Sequence, residues 1–354
     1  RVGAHMADAM SRMSSGDDIG VFVMQHGPGS ENAFGGVAQA FGESVPMLFL
    51  PAGYDRRIAN IFPNFNSTLN MKHVTKWAEP LTMGCEVANV MRRAFTQLRN
   101  GRPGPVLVEI PWDTCKEEAD ISSYVPTYKT RFSPDPVHIK AAAATLAAAD
   151  KPVIYAGQGI HYSKAWPELK ELAELLNAPV TTSIAGKSAF PETHRLALGS
   201  GGHATTKMVY EFLYDSDVIF GVGCSFATTA FGTQMPKNKK VIHATLDPID
   251  LNKDIRSELG LVGDAKLTLQ AILAELKTLD LAKAKARKDS TPAAIKKVRD
   301  EWMAQWLPKL TSNETPMTPY RVIHELNKLV DKQKVVITHD AGSPRDQLIP
   351  FWES

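Results

Sequence analysis

The amino-acid sequence predicts an α/β fold: two doubly wound domains with mainly parallel sheets, followed by the beginning of a third domain. Short apolar runs alternate with segments of helical period over 20–110, and the same alternation returns over 137–277. A Pro-rich polar stretch at 116–136 separates these two regions. The length of 354 residues also fits more than one domain, at about 150 residues for each.

In the first region, the pattern predicts in order a helix at 2–14, a strand at 20–24, a helix at 31–41, a strand at 46–50, a helix at 85–98 and a strand at 106–110. Val2, Met6, Met10 and Met13 recur at helical spacing, so we expect them in the core. The continuous apolar run at 20–24 is typical of a buried parallel strand. The Pro- and Asn-rich stretch at 53–70 predicts a loop.

The second region predicts helices at 137–149, 166–176, 204–213 and 265–277 and strands at 153–156, 180–182, 218–221 and 241–244. An Ala-, Lys- and Arg-rich stretch at 280–301 predicts a solvated helical connector. Thr318 can cap a further helix, and the apolar run at 335–338 predicts a strand that opens a third domain. The predicted organisation is therefore a first domain at 1–115, a linker at 116–134, a central domain at 135–280, a helical linker at 281–315 and the start of a third domain at 316–354.

Composition excludes several classes of function. The net charge is only +2, which gives no basic arm for nucleic acid and no electrostatic reason to bind an anionic membrane. No apolar run approaches the ~18 residues of a membrane span.

The three cysteines, Cys85, Cys115 and Cys224, form no CxxC pair, which favours a reducing cytoplasmic location. The sequence lacks HExxH, GxxxxGK[ST] and GxSxG motifs, so zinc hydrolase, P-loop and α/β-hydrolase functions have no support.

One candidate binding loop lies between the strand at 20–24 and the following helix. The glycines of Gly27-Pro28-Gly29 allow a ligand to approach the backbone, and the helix start offers unpaired N–H groups. Such a turn is also common as a purely structural feature. His26 precedes the turn, and because histidine is a residue type that can exchange protons in catalysis, it is a candidate acid or base, with a hydrogen-bonding role as the alternative.

A second candidate is Gly157-Gln158-Gly159, which follows the strand at 153–156 and resembles the start of a dinucleotide fingerprint. The third glycine is absent, since position 162 is Tyr, so the signal for NAD is weak. Asp247 ends a later strand and can accept a ribose hydroxyl or simply cap the turn before Pro248. Both interpretations of Asp247 stay open at this stage.

The order of several short motifs identifies a family resemblance. In sequence they are 4–12 (AHMADAMSR), 27–29 with Asn32, 43–47 (ESVPM), 74–76 (VTK), 101–111 (GRPGPVLVEIP), 241–243 with Asp247, 263–265 (GDA) and 338–342 (THDAG). Together they resemble the thiamine-diphosphate enzymes of the acetolactate synthase and pyruvate oxidase type. The resemblance runs from one end of the chain to the other.

The resemblance implies a function for each domain. It makes 1–115 a domain that binds the cofactor's pyrimidine, 135–280 a nucleotide-binding-like central domain, and 316–354 the start of a diphosphate-binding domain. Gly27, Pro28, Gly29 and Asn32 match the family loop beside the pyrimidine. His26 stands where common members have a small hydroxyl residue, and we expect it to face the pocket and influence substrate choice. Asn66 matches a glutamine that lies near the substrate in several members, but it is one methylene shorter.

Two parts of the family's catalytic site are expected to be missing. The chain begins at Arg1 without methionine, inside a helix, which predicts a fragment cut at both ends. By the family's spacing, the activating glutamate would lie one position before Arg1. The Gly-Asp-Gly and paired asparagines that hold the diphosphate and Mg²⁺ would follow Ser354, so no metal ligand is expected in this chain. Gly263-Asp264 is not a substitute, because the later asparagines are absent.

Flavin is left open by the resemblance. Some members hold FAD against segments that match 198–203 and 241–253, whereas others bind ADP, CoA or nothing. Gly157, Gly159, Gly199 and Asp247 are the residues that a nucleotide or FAD would contact here.

The activity that the resemblance implies is decarboxylation of a small 2-keto acid with carbon–carbon ligation, as in acetolactate synthase, in a homodimer or homotetramer. Two alternatives remain. The segment 343–348 faintly resembles enzymes that hydrolyse a carbon–carbon bond of a cyclic dione. His26 and Asn66 would also suit a non-catalytic paralogue with a binding or regulatory role. The fragment itself is expected to be inactive and to bind thiamine diphosphate poorly.

Overall fold

The computed structural model describes residues 1–354 and divides them into two compact units, 1–131 and 132–354. Each unit is built on one sheet, with four strands in the first and six in the second, and every strand pairing is parallel. Crossover connections join the strands, as parallel pairing requires, and several of them contain α-helices. This confirms the predicted α/β fold class. No helix combines the length and the apolar character needed to cross a bilayer.

The first unit contains, in order, α1 (Val2–Met13), β1 (Gly20–Met24), α2 (Pro28–Gly42), β2 (Met47–Gly53), α3 (Ser67–Met71), β3 (Trp77–Pro80), α4 (Val87–Arg99) and β4 (Pro105–Pro111). The strand order is β1-β2-β4-β3. Neighbouring residues of one strand enter opposite cores: Phe49 packs with α1 and α2, whereas Leu48 packs with α4. This alternation follows from the two-residue period of a strand.

The expectation that the apolar stripe of α1 lies in the core is wrong. Val2, Met6, Met10 and Met13 are 53–73% exposed. The helix packs instead through its small residues: Ala4 and Ala7 are buried, and a Cβ at Gly36 of α2 would lie 2.7 Å from the Ala4 Cβ. Close approach of two helix backbones requires small side chains at the contact, so the large methionines are displaced to the outside.

β1 is also less buried than its apolar sequence predicts. It lies at the edge of the sheet, and Val21 and Val23 are 50% and 68% exposed. Phe22 points to the opposite face, where it packs against Phe49 with ring centroids 6.2 Å apart. The apolar run at 20–24 therefore predicts the strand correctly but not its position in the sheet, because an edge strand can be as apolar in sequence as a central one.

The second unit contains α5 (Pro136–Ala148), β5 (Pro152–Ala156), α6 (Gly159–Ser163), α7 (Trp166–Leu176), β6 (Val180–Thr182), β7 (Ala197–Ser200), α8 (Lys207–Asp215), β8 (Val218–Val222), β9 (Lys240–Thr245), β10 (Leu259–Val262) and α9 (Ala265–Leu276). The strand order is β10-β9-β8-β5-β6-β7. The chain winds outward from β5 in one direction through β7 and then in the other from β8, so the topological switch point lies between β5 and β8.

Four further helices complete the second unit: α10 (Ala282–Ala286), α11 (Ser290–Leu310), α12 (Pro319–Leu329) and α13 (Ser343–Phe351). The connector predicted at 280–301 is helical, but α11 is not solvated all round, since Ile295 and Trp302 are buried. The strand predicted at 335–338 is wrong, because these residues form no regular element. Neither sheet reaches them, and a strand without a neighbour leaves its backbone groups unpaired. Where the domains begin and end along the chain stays a prediction.

Candidate functional site

The predicted loop of the first unit lies between the carboxyl end of β1 and the start of α2. Gly27 adopts φ +56° and ψ −113°, and Pro28 occupies the first turn of the helix. A Cβ at Gly27 would lie 2.8 Å from the Tyr54 Oη, and one at Gly29 would lie 2.8 Å from the Gln25 Cβ. Both the dihedral angles and the close neighbours therefore require glycine at position 27.

His26 and Asn32 flank this loop. The half-buried His26 ring packs edge-on against Tyr54, which follows β2, with centroids 4.6 Å apart. Asn32 is exposed, and its side-chain amide donates to the Pro28 carbonyl oxygen at 2.8 Å. The carboxyl edge of a parallel sheet is where α/β folds bind ligands. The structure thus brings His26, the glycine turn and Asn32 together at such an edge.

Asn66 has a local structural role. Its Oδ1 accepts a hydrogen bond from the Leu69 N–H at 2.8 Å, which caps α3. The next residue connects α3 to the glycine loop, because the Ser67 hydroxyl donates to the Ser30 hydroxyl of α2 at 2.9 Å. The candidate residue Asn66 therefore belongs to the same edge of the sheet, with its carbonyl already engaged by the backbone.

Glu109, a β4 residue that is 5% exposed, belongs to the same region of the sheet and is not among the residues that the sequence motifs indicate as functional. Its carboxylate accepts hydrogen bonds from the Thr68 N–H at 2.8 Å, the Thr68 hydroxyl at 2.6 Å and the Ser67 N–H at 3.4 Å. A charged residue inside an otherwise apolar strand was the signal that could have revealed it. Glu109 holds the start of α3 against the sheet, and through Ser67 and Ser30 it supports the glycine loop.

In the second unit, Gly157 and Gly159 lie at the switch point between β5 and β8. A Cβ at Gly157 would be 2.3 Å from the Gly223 carbonyl oxygen, and one at Gly159 would be 2.7 Å from the Gly223 Cα. These glycines therefore allow the segments that follow β5 and β8 to touch. The following helix, α6, has only five residues.

Gly199 and Asp247 lie on opposite sides of this switch point. Gly199 is on β7 with φ +94°, whereas Asp247 follows β9 and accepts a hydrogen bond from the Ile249 N–H at 3.1 Å. Four strand-to-strand steps separate β9 from β7, which at ~4.8 Å per step is roughly 19 Å. Only an extended ligand, such as a dinucleotide, could contact both residues.

Four polar side chains of the second unit are largely removed from solvent: His243, Cys224, Lys187 and Glu192. The His243 ring lies 2.9 Å from the Cys224 carbonyl oxygen, and burial lowers the pKa of His243. Burial likewise raises the pKa of the Cys224 thiol, so it stays protonated. The Lys187 ammonium contacts both Glu192 carboxylate oxygens, at 2.6 and 2.7 Å. Burial lowers the pKa of Lys187, and the Glu192 charge opposes that shift.

Comparison with known proteins identifies the family to which the chain belongs. Residues 1–76 match the model of the thiamine pyrophosphate enzyme N-terminal TPP binding domain, and residues 139–272 match that of the thiamine pyrophosphate enzyme central domain. The chain belongs to the thiamine pyrophosphate enzyme family.

Individual relatives narrow the likeness further. The chain is 30% identical to a probable acetolactate synthase large subunit of Methanocaldococcus jannaschii, over 99% of this chain and 60% of the relative. It is 31% identical to the acetolactate synthase isozyme 3 large subunit of Escherichia coli K12, over 96% of this chain and 59% of the relative. A glyoxylate carboligase of Escherichia coli O157:H7 is 29% identical, over 95% of this chain and 57% of the relative. The chain thus spans about 60% of the length of these relatives.

Proposed function

We propose that this chain supplies the pyrimidine-binding and central domains of an enzyme that uses thiamine diphosphate to decarboxylate a small 2-keto acid and ligate the product to an acceptor. The observation that carries the proposal is the 30% identity to an acetolactate synthase large subunit over 99% of the chain. The arrangement of His26, the glycine turn and Asn32 at one edge of the first sheet is consistent with it.

The residues of the first unit fit the pyrimidine half of the cofactor. Gly27 gives the turn at 27–29 a backbone conformation that has no room for a side chain beside Tyr54, and the turn is followed by the N-terminal N–H groups of the 15-residue α2. The backbone of this turn and the exposed Asn32 amide would hold the polar edge of a flat ring. When bound, thiamine diphosphate supplies the carbon nucleophile for the keto acid, and the protein's part is to orient it and exclude water.

The residues of this chain do not fit the metal that would hold the diphosphate. No three His, Cys, Asp or Glu side chains converge to form a cation site. From the family resemblance, we propose that the Mg²⁺ ligands and the activating carboxylate come from outside residues 1–354, and that the active site forms in a cytoplasmic homodimer or homotetramer. By this proposal the chain alone is inactive.

Flavin needs a different set of contacts from thiamine diphosphate. Gly199 and Asp247 are separated by four strand-to-strand steps of the second sheet, so only an extended ligand such as FAD could contact both. Because Gly157 and Gly159 are already explained by their packing on Gly223, we do not make FAD part of the proposed reaction. The visible absorbance of the purified full-length protein tests for it directly.

His26 is proposed to influence substrate choice through its place beside the glycine turn. We expect His26→Ala in the full-length enzyme to change the ratio of kcat/KM between two keto acids of different size. His73→Ala, at an exposed position of the same unit, is the matched control. Unchanged rates and unchanged preference in His26→Ala would show that His26 has no part in substrate recognition.

The central experiment supplies the full-length gene product with thiamine diphosphate, Mg²⁺ and either pyruvate or a cyclic diketone, and identifies the products. Formation of acetolactate supports the proposal. Hydrolysis of a cyclic diketone without reaction of pyruvate would identify a carbon–carbon hydrolase instead, and cofactor binding without turnover would identify a non-catalytic paralogue. Calorimetry on residues 1–354 is a separate test, in which micromolar affinity for thiamine diphosphate with Mg²⁺ would contradict the incomplete site.

A further inference from the structure

Tyr54 directly follows β2, at the carboxyl edge of the first sheet, and its side chain contacts both His26 and the glycine turn. The Tyr54 ring packs edge-on against the His26 ring, with centroids 4.6 Å apart. The Tyr54 hydroxyl oxygen lies 2.8 Å from the position that a Cβ at Gly27 would occupy. Tyr54 therefore adjoins the loop that is proposed to hold the pyrimidine of the cofactor, although no sequence motif indicates it.

The polar atoms of Tyr54 and His26 have no hydrogen-bond partner in the protein. Neither the Tyr54 hydroxyl nor a ring nitrogen of His26 forms a hydrogen bond with another residue. By contrast, the side chains of Asn32 and Asn66 at the same edge are already hydrogen-bonded to the backbone. Tyr54 and His26 are half-buried, so a molecule at this edge of the sheet can reach both. A hydroxyl group and an imidazole, each able to donate or accept, are thus available to a ligand.

The charges around this segment favour a neutral group as the ligand of the pair. Gly53, the residue before Tyr54, lies against a carboxylate, since a Cβ at Gly53 would be 3.2 Å from the Glu109 Oε1. Of the two arginines that follow, Arg56 is already paired with two carboxylates, and the exposed Arg57 contacts neither ring. An anionic group at the pair would therefore be opposed by the Glu109 charge, whereas a hydroxyl or carbonyl group would not.

We propose that Tyr54 is a specificity-determining residue, which together with His26 hydrogen-bonds to a neutral polar substituent of the 2-keto acid, such as a hydroxyl group beside the keto carbon. This inference rests on the proposed function, because it concerns the substrate of that same site. The preferred substrates are then 2-keto acids with a polar substituent, and purely alkyl ones react less well. A site that hydrogen-bonds a hydroxyl group rejects an analogue without it, since the polar groups of the site are left unpaired.

Pyruvate and 3-hydroxypyruvate are a matched pair of probes, because they differ by one hydroxyl group. Initial rates of CO₂ release by the full-length enzyme with thiamine diphosphate and Mg²⁺ give kcat/KM for each, and we expect the higher value for 3-hydroxypyruvate. Tyr54→Phe keeps the ring against His26 and removes only the hydroxyl group. It should reduce the preference for 3-hydroxypyruvate over pyruvate by about tenfold, chiefly by raising KM for 3-hydroxypyruvate. His26→Ala should reduce the same preference.

Two controls separate substrate recognition from other effects of the substitution. Tyr128→Phe removes the hydroxyl group of an exposed tyrosine in the same unit and should leave kcat/KM for both keto acids unchanged. Calorimetry with thiamine diphosphate and Mg²⁺ gives a measurement that does not depend on turnover. We expect the cofactor affinity of full-length Tyr54→Phe to equal that of the unmodified enzyme, because the lost hydrogen bond is one to the substrate.

Several results would overturn the proposal. An equal loss for both keto acids in Tyr54→Phe would show that the hydroxyl group binds the carboxylate or keto group that they share. An unchanged preference would show that Tyr54 does not contact the substrate, and a weakened cofactor affinity would show that it positions the cofactor instead. If the unmodified enzyme released CO₂ from neither keto acid, the proposed function itself would be contradicted, and this inference with it.

Discussion

The carboxylate of Glu109 accepts hydrogen bonds from both the backbone N–H and the hydroxyl of Thr68, at 2.8 and 2.6 Å, across 41 residues of sequence. Glu109 is the buried residue that connects the central strand β4 to the start of α3. No basic side chain forms an ion pair with it, so its charge is compensated by these donors and by the Ser67 N–H. A buried carboxylate that serves three donors is costly to remove, because every donor then loses its partner.

We expect Glu109→Ala to lower the free energy of unfolding by about 2–3 kcal/mol and Glu109→Gln by about 1 kcal/mol, because glutamine keeps an acceptor oxygen. Thr68→Val removes one donor and should cost less than Glu109→Ala. Urea unfolding of all three variants and of the double variant gives the coupling energy. Additive losses in the double variant would show that the two side chains do not act together.

Gly27 and Gly35 differ in whether the structure has room for a side chain, so Gly→Ala substitutions at the two positions should have opposite effects on stability. Gly27 has φ +56° and a Cβ there would meet the Tyr54 Oη, whereas a Cβ at Gly35, inside α2, would meet nothing within 4 Å. Gly27→Ala should therefore destabilise the protein by about 1–3 kcal/mol, and Gly35→Ala should stabilise it by about 0.5–1 kcal/mol. Thermal unfolding distinguishes a loss of stability from a gain. An unchanged melting temperature in Gly27→Ala would contradict the requirement for glycine at position 27.

The strands that the sequence pattern did not predict share a physical property. β3, β7 and β10 have four residues each and lie at the edges of their sheets, whereas most central strands were predicted from continuous apolar runs. An edge strand needs fewer apolar residues because one side of it faces no neighbour. β1 is the converse case, an edge strand with the apolar sequence of a central one.

Only the local part of the candidate site can be predicted from the sequence. The glycine turn is readable locally, since Gly27 and Pro28 specify their own conformations. The role of Glu109 is not readable in this way, because its partners Ser67 and Thr68 are distant in sequence and lie in a segment that composition predicts to be loop. The prediction that the methionines of α1 lie in the core was wrong for a related reason. Periodicity shows that a helix has an apolar stripe, but it does not show whether the helix packs through that stripe or through its small residues.

Lys187 and Glu192 form an ion pair that is largely removed from solvent, with the two side chains 18% and 8% exposed. Glu192 also accepts a hydrogen bond from the Ser354 N–H at 2.9 Å, so the pair anchors the segment after α13. Lys187→Met should cost about 3–5 kcal/mol, because it leaves a buried carboxylate without its cation. The exposed Lys151–Asp215 pair is the control, and Lys151→Met should cost no more than about 1 kcal/mol. Equal losses in chemical unfolding would contradict the role of burial.

His243 predicts how stability depends on pH. Burial lowers the pKa of His243 in the folded protein, and His161 is lowered by the same cause. Between the lowered folded pKa and the unfolded value of about 6.5, the unfolded chain binds protons that the folded chain does not. The free energy of unfolding therefore falls as the pH drops below about 6.5, by at most about 1.4 kcal/mol per pH unit for each of the two histidines. His243→Gln should reduce that slope in urea unfolding between about pH 7.5 and 5, whereas His138→Gln, at an exposed position of α5, should not. A slope that His243→Gln leaves intact would mean that His243 already carries its proton in the folded protein.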